Sequence, residues 1–355
     1  AIQGMLFRHK AAIKLLGLQL DGEATMGAQQ AHAVMNQVAK RLRLIAEHIS
    51  KSNKATTGVV MRVFDLIATS TCAYSLPHAR RAQGPARIIQ SKKMELLIEM
   101  LKLTKNTPHE SLRADLGVLD VDIELAVLHL RAIHKIYNNR EDSLTREMLR
   151  WNLKKGATPT SKLHEAQKML RDLGLDIEIR TFLRGAYDRM KTLLKEASKK
   201  ESAARWTKKI KDGSDEGKRQ SHIKPKWGPE TAILEARVDE VKTYLSLRHE
   251  TLHMKMKKGE CEHCGQQGPT PNHAIWKCSA TEETRTELKK KLKEIAPTAL
   301  EEVENLMETN IQEATDYLLG GGRAKHNPQK WKEIQKTSIA QLHKLLKGRT
   351  VEYPQ

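Results

Sequence analysis

The sequence predicts a mainly α-helical protein: a short N-terminal strand or hairpin, a helical bundle, a basic linker and a small zinc-stapled helical module at the C-terminal end. Three observations carry this. Apolar residues recur at three- and four-residue steps through most of the chain, the period of one helix face. Only "IKLLGLQLD" alternates as a strand would, and "CEHCGQQGPTPNHAIWKC" gathers three of the four cysteines and a histidine into 18 residues.

At 355 residues the chain is long enough for two or three cores, so size alone does not demand a metal staple. No stretch of about 18 or more apolar residues is present to span a bilayer as a helix. Sixty-two Lys and Arg against 43 Asp and Glu leave a net charge of +19, which attracts polyanions, with DNA or RNA the common case and an acidic membrane surface the rarer. Clustered rather than spread cysteines argue against a disulfide scaffold and for a reducing compartment, nucleus or cytoplasm. The opening "AIQGMLFRHK" has neither an initiator Met nor a secretory leader, and reads as the interior of a longer reading frame.

Residues 1–26 hold the strand, over residues 13–21, which ends in an Asp-Gly turn signal. Residues 27–182 form the helical region. Its first helix carries Ala31, Val34, Val38, Leu42, Ile45 and Ile49 on one side, with Lys40, Arg41 and Arg43 on or beside the other, either a solvated face or a phosphate-facing one. A second helix covers about residues 56–74 and closes at Leu76-Pro77, since the residue before proline resists helical geometry. Cys72 sits among its apolar residues as a buried thiol. "RRAQGPARIIQ" reads as a connector carrying Arg80 and Arg81, "SKKMELLIEMLKLT" as a third helix stopped by "KNTPHESL", and "VDIELAVLHLRAIHKIY" as a fourth.

Residues 183–228 read as an exposed, partly disordered basic linker that includes Lys208 and Lys209; between residues 189 and 226 it holds thirteen Lys/Arg against five Asp/Glu. Residues 229–355 form the last region. A helix over about residues 230–253 leads through Lys255, Lys257 and Lys258 to the cysteines. Ser279 and Glu282 fit a capping box for the helix that follows, and two further helices, about 299–319 and 330–346, flank "GGGRAKHNP", a flexible connector.

The spacing Cys261-x2-Cys264-x8-His273-x4-Cys278 offers three thiolates and an imidazole, the set that Zn2+ takes in closed tetrahedral geometry. Free thiols on a loop are the alternative, and His263 is a candidate to replace His273. A catalytic zinc keeps one position open for water or substrate, so four protein ligands point to a structural role. The cytidine-deaminase pattern needs a His-x-Glu ahead of Pro-Cys-x-x-Cys, and neither is present. Trp276, within the loop, either stacks on a base or packs against the zinc core. The chain has no phosphate-binding glycine loop, no nucleophile elbow and no paired carboxylates, so no catalytic residue is assigned.

Three of these features, in this order, resemble the reverse transcriptases of non-LTR (LINE-like) retrotransposons, from the end of the palm to the C-terminus. "IKLLGLQLD" followed by "HAVMNQVAKRLRLI" is similar to the primer-grip strand and the opening helix of the thumb. "LLIEMLKLTKNTPHESLRADLGVLDVDIELAVLHLRAIHKIY", with Thr107-Pro108 and Leu116-Gly117, resembles the helices that follow the thumb. "YLSLRHETLHMK" ahead of the cysteines resembles the approach to the family's C-terminal Cys-Cys-His-Cys.

The resemblance covers nearly the whole chain and is thin over about residues 153–226. It implies a non-catalytic part of an RNA-directed DNA polymerase that holds RNA template and target DNA during target-primed reverse transcription, with structural Zn2+ here and Mg2+ only in an upstream palm. Lys40, Arg41, Arg43, Arg80, Arg81, Lys208, Lys209, Lys255, Lys257 and Lys258 are the candidate nucleic-acid contacts. Eight residues between Cys264 and His273, where the retroviral nucleocapsid knuckle has four, set this motif apart from that module. Some family members carry a nuclease after the cysteines, and its pattern is missing from "NPQKWKEIQKTS". Two other classes remain open: a host helical zinc adaptor that binds an acidic protein partner, and a complete enzyme of unknown type.

Overall fold

The computed structural model of the chain describes residues 12–15, 18–21, 28–51, 55–75, 83–138, 144–155, 162–212, 215–257 and 259–350, and these are mainly helical with very little strand. The Cys72 side chain, Arg80, Arg81, the Lys257 side chain and Lys258 lie outside the described residues. The chain divides into two units. One comprises Ala1–Leu42, Leu66–Lys93 and Leu119–Arg205, the other Arg43–Asp65, Met94–Val118 and Trp206–Gln355. Each therefore gathers three separate stretches, where the sequence suggests four consecutive segments. No described helix is long and apolar enough to cross a membrane.

In the first unit, β1 (Ala12–Leu15) and β2 (Leu18–Asp21) pair antiparallel with Leu15 opposite Leu18. Of the strand or hairpin expected over this stretch, the described residues form a two-stranded antiparallel pair. The core is built on α5 (Val121–Tyr137), as the pattern foretells: Ile123, Ala126, Leu130 and Ile133 face Leu163, Ala166, Met169 and Leu170 of α7 (Lys162–Asp172). Phe182 and Leu183 of α8 (Ile179–Arg184) close it, with Met190, Leu194 and Ala197 of α9 (Tyr187–Ile210). Gln167 ties the α7–α8 connection from both sides, accepting from Ile179 N at 2.7 Å and donating to Ile177 O at 3.0 Å. On α5, Lys93 meets Glu124 at 2.5 Å, and Arg205 near the end of α9 reaches Asp122 at 2.9 Å.

Residues 183–228, expected as a linker, are largely helical, in α9 and α10 (Asp215–Ile223). Leu194, Ala197, Trp206 and Ile223 are buried, and Trp206 donates to Lys224 O at 2.9 Å. Sparse apolar residues at helical spacing suffice here because each meets an existing core. The "RRAQGP" connector is likewise partly helical: α3 spans Gln83–Met100, and Pro85 is tolerated because the first turn of a helix has no N–H acceptor to lose.

In the second unit, α16 (Pro328–Leu346) presents Trp331, Ile334, Ile339, Leu342 and Leu345 to its neighbours α11 (Thr231–Glu235), α12 (Val238–Arg248), α13 (Glu282–Ile295) and α15 (Ile311–Leu319). Two helices expected as continuous are broken. Between α11 and α12 the chain is extended at Ala236, whose carbonyl accepts from Thr57 N at 2.9 Å, and Thr56 bridges Arg237. Asn310, also extended, separates α14 (Pro297–Thr309) from α15 and caps the latter through Gln312 N at 3.1 Å.

"GGGRAKHNP" is not a flexible connector. Gly321–Lys325 is a 3-10 turn, and a Cβ on Gly322 would lie 2.7 Å from the Tyr317 ring and 2.9 Å from that of Trp331, so the turn is held by close approach.

Arg248 is wholly buried in this unit. Its guanidinium meets Asp115 of α4 (His109–Leu116), Glu230 at 3.1 Å, the Tyr244 hydroxyl at 3.0 Å and the Leu319 carbonyl. Lys224, 1% exposed, meets Glu230 at 3.0 Å and the Gly228 carbonyl at 2.6 Å.

Candidate metal centre

The site begins at a two-residue ladder in which β3 (Met256–Lys257) pairs antiparallel with β4 (Glu260–Cys261), a second strand pair the sequence did not suggest. After β4 the chain turns tightly. Cys261 N donates to Gln266 O at 2.8 Å and Gly265 N to Cys261 O at 2.9 Å, which brings Cys264 beside Cys261. His273 comes from a π turn over His273–Lys277, a geometry that proteins use sparingly and often at functional sites. The turn starts with His273 N donating to Thr270 Oγ1 at 3.1 Å and closes with Cys278 N donating to His273 O at 2.8 Å. The expected capping box does not form. Ser279–Thr281 is a 3-10 turn, and α13 starts at Glu282 with Thr281 as its N-cap, the hydroxyl donating to the Ala274 and Cys278 carbonyls at 2.8 Å.

One ligand atom from each of Cys261, Cys264, His273 and Cys278 lies within 4.8 Å of the others, so the sequence-predicted set is brought together. Bond lengths of about 2.3 Å to sulfur and about 2.0 Å to nitrogen give tetrahedral edges of roughly 3.5 to 3.8 Å, the scale of this cluster. Cys264 Sγ stands 3.2 Å from His273 Nε2, which faces the thiols, while Nδ1 is buried with no partner. Cys261, His273 and Cys278 are buried, Cys264 is the exposed member, and none of the three thiols is in a disulfide.

The thiols shift in opposite directions: a backbone N–H from Gln266 lowers Cys264, but burial and the neighbouring Cys261 and Cys278 outweigh it and push that thiol above its ordinary value. Burial pushes the Cys261 thiol up, but N–H donation from His263 and Cys264 outweighs it and holds the group below its ordinary value, toward the thiolate a metal needs. His273 is held down by burial and by Arg349, Lys277 and Arg285, which favours the neutral imidazole. Arg349 Nη1 points at Cys278 Sγ at 3.7 Å, and its Nη2 donates to Ala280 O at 3.0 Å. Three thiolates, one imidazole and Zn2+ sum to a charge of minus one, which this guanidinium offsets. Sequence reasoning missed Arg349: it lies 71 residues beyond Cys278, and no spacing rule reaches that far. With four protein ligands an ion held here would have no open position, and its contribution would be to the fold.

Trp276 resolves to packing. It is 4% exposed, and its indole N–H donates to Thr315 Oγ1 of α15 at 2.8 Å. Thr315 in turn donates to Asn272 Oδ1 at 2.7 Å, so the loop between the ligands is bolted to the helical core. His263 is exposed and outside the cluster.

The candidate nucleic-acid residues that the structure describes fall in both units. Lys40 and Arg41 are exposed on α1 (Ala28–Lys51) in the first unit. Arg43 and Lys209 are exposed in the second unit but engaged in ion pairs, Arg43 with Glu99 at 3.0 Å and Lys209 with Glu110 and Asp212 at 3.5 Å each. Lys208 is exposed near the end of α9, and Lys255 is half-buried beside β3, its backbone N–H donating to Arg349 O at 2.7 Å. Comparison with protein families, curated proteins and solved structures finds no match for the chain.

Proposed function

We propose that the chain is the nucleic-acid-holding, non-catalytic part of a non-LTR retrotransposon reverse transcriptase, spanning the end of the palm, the thumb and the C-terminal zinc region. It grips RNA template and primed target DNA while polymerisation proceeds on Mg2+ in an upstream palm. The observation that carries this reading is the closed Cys261, Cys264, His273 and Cys278 cluster, in a chain of net charge +19 and in the order that the family resemblance implies.

Zn2+ held there would staple the module rather than activate water. Lysine and arginine side chains would supply most of the affinity through phosphates, since aromatic residues make up only 4% of the chain.

Binding to RNA or DNA is expected to weaken steeply between about 50 and 200 mM salt, by a factor on the order of 10³ if about six phosphates are contacted. Absence of binding to either nucleic acid at low salt overturns the reading, and capture of an acidic protein by a chain that binds neither nucleic acid would favour the adaptor alternative instead.

A further inference from the structure

Lys191, Lys195 and Lys199 of α9 are all exposed and fall at steps of four, which sets them in one row with their roots about 6 Å apart along the helix axis. None of the three makes an ion pair with a described residue. Like charges four apart on a helix repel, so the row works against the element that carries it. Other helices of the chain avoid this. Arg205 meets Glu201, four residues before it, at 2.9 Å, Lys291 meets Glu287 at 2.7 Å, and Arg237 meets Glu240 at 3.0 Å. An unrelieved row of cations, in a chain that elsewhere offsets helical cations locally, marks a place where the neutralising charge comes from outside.

The neighbouring acids narrow what carries that charge. Asp188 and Glu196 are exposed on the same helix beside the row, and neither is paired with a described residue. A broad anionic layer, such as lipid headgroups, laid on this side would meet both carboxylates, whereas a single line of anions running along the lysines passes them by. Tyr187, one step ahead of the row, leans on the His134 ring at 5.7 Å, so its ring is already engaged within the chain. What remains is contact with a backbone: evenly spaced phosphates on one strand, reached by the flexible four-carbon stems of lysine.

We propose that Lys191, Lys195 and Lys199 form a phosphate-contact row for one backbone strand of RNA or DNA, bound through charge and without base readout. The inference rests on the nucleic-acid reading above and adds to it a named surface, in a stretch whose composition reads as a linker.

The test measures the affinity of the full zinc-loaded chain for a mixed-sequence DNA duplex of about 20 base pairs and for an RNA strand of the same length, by fluorescence anisotropy between about 50 and 200 mM salt. Lys191→Gln/Lys195→Gln/Lys199→Gln should make the slope of log K against log salt shallower by about 2.7 on the duplex or about 2.1 on the single strand, at about 0.9 and 0.7 per contact. Arginine at the same three positions keeps the charge and should keep the slope. Arg189→Gln/Lys200→Gln removes two exposed cations from the same helix but off the row, and should leave the slope near that of the unmodified chain. The glutamine triple variant is also expected to melt no lower than the unmodified chain, because it relieves repulsion within the helix.

An unchanged slope in the triple variant overturns the proposal while leaving the nucleic-acid reading in place. So does an equal change per charge in Arg189→Gln/Lys200→Gln, which would spread the contact over the whole face, and so does a lower melting temperature of the triple variant, which would tie the lysines to the fold. Failure of the unmodified chain to bind either DNA or RNA refutes the broader reading. Loss of an acidic protein or of anionic vesicles in the triple variant, with the nucleic-acid slopes intact, assigns the row to that partner and also overturns the proposal.

Discussion

At Arg248, a full positive charge is carried inside because two carboxylates and two neutral oxygens meet it there. Removing the cation alone leaves Asp115 and Glu230 charged and buried, so Arg248→Met is expected to lose about 3 to 5 kcal/mol in urea unfolding. A loss below about 1 kcal/mol would show that the network is dispensable. Burial pushes both carboxyls up, yet Arg248 outweighs it, helped by Lys224 at Glu230, which falls to about 2, and by His249 and Lys224 at Asp115, which falls well below the carboxylate range. Groups depressed on folding stabilise above their unfolded values and lose that stabilisation as pH falls toward the folded ones. Stability should therefore drop between about pH 4.5 and 2, and less in Glu230→Gln than in the unmodified chain; equal drops would rule out the contribution of Glu230. For the metal, Cys261→Ser should strip bound zinc as measured by elemental analysis, and unchanged zinc content would refute the ligand set. The zinc ligands were legible because all four fall within 18 residues. The Arg248 network was not, because Asp115 lies 133 residues away, and charged residues are read by default as solvated.

Among the helices, α5 was legible almost to its ends because its apolar period is unbroken and bounded by Asp120 and Asn138. α9 was mistaken for a linker because charged residues, chiefly Lys, crowd it, and its apolar residues announce a helix only once a core is available to receive them. The short α4 went unseen as a helix, but the Leu-Gly pair after it was noticed, and its role is now physical. Gly117 ends α4 at φ 69°, and a Cβ there would sit 2.2 Å from Pro229 Cδ. Gly117→Ala should cost on the order of 1 to 3 kcal/mol by denaturant melts, from left-handed strain and a displaced proline loop. At the start of α16, Asn327 Oδ1 accepts from Lys330 N at 2.8 Å, and Asn327→Ala should cost about 1 kcal/mol by the same measurement. An unchanged midpoint in either variant would contradict the corresponding assignment.

Over the whole molecule, the helical class was evident from periodicity, but the partition into two units was not, since stretches far apart in sequence join each unit. Metal removal should respect that partition. Chelation is expected to raise amide exchange over β3, β4, the His273–Lys277 turn and residues 346–350, with the α5–α7–α8 core unchanged. Uniform loss of protection in both units would show that the zinc region supports more than its own surroundings.

One contact sets a timetable for assembly. Met254 bridges Thr350, and Lys255 N bonds Arg349 O at 2.7 Å, so the segment that follows α16 is fastened beside the start of the cysteine loop. Closing a loop of 94 residues (349 minus 255) carries an entropic penalty that grows with the logarithm of its length, whereas gathering four ligands from 18 neighbouring residues is a short-range event. Metal capture is thus expected to run ahead of the arginine clasp during refolding, with stopped-flow zinc uptake faster than burial of the tryptophans; the opposite order would mean that the clasp builds the site rather than seals it.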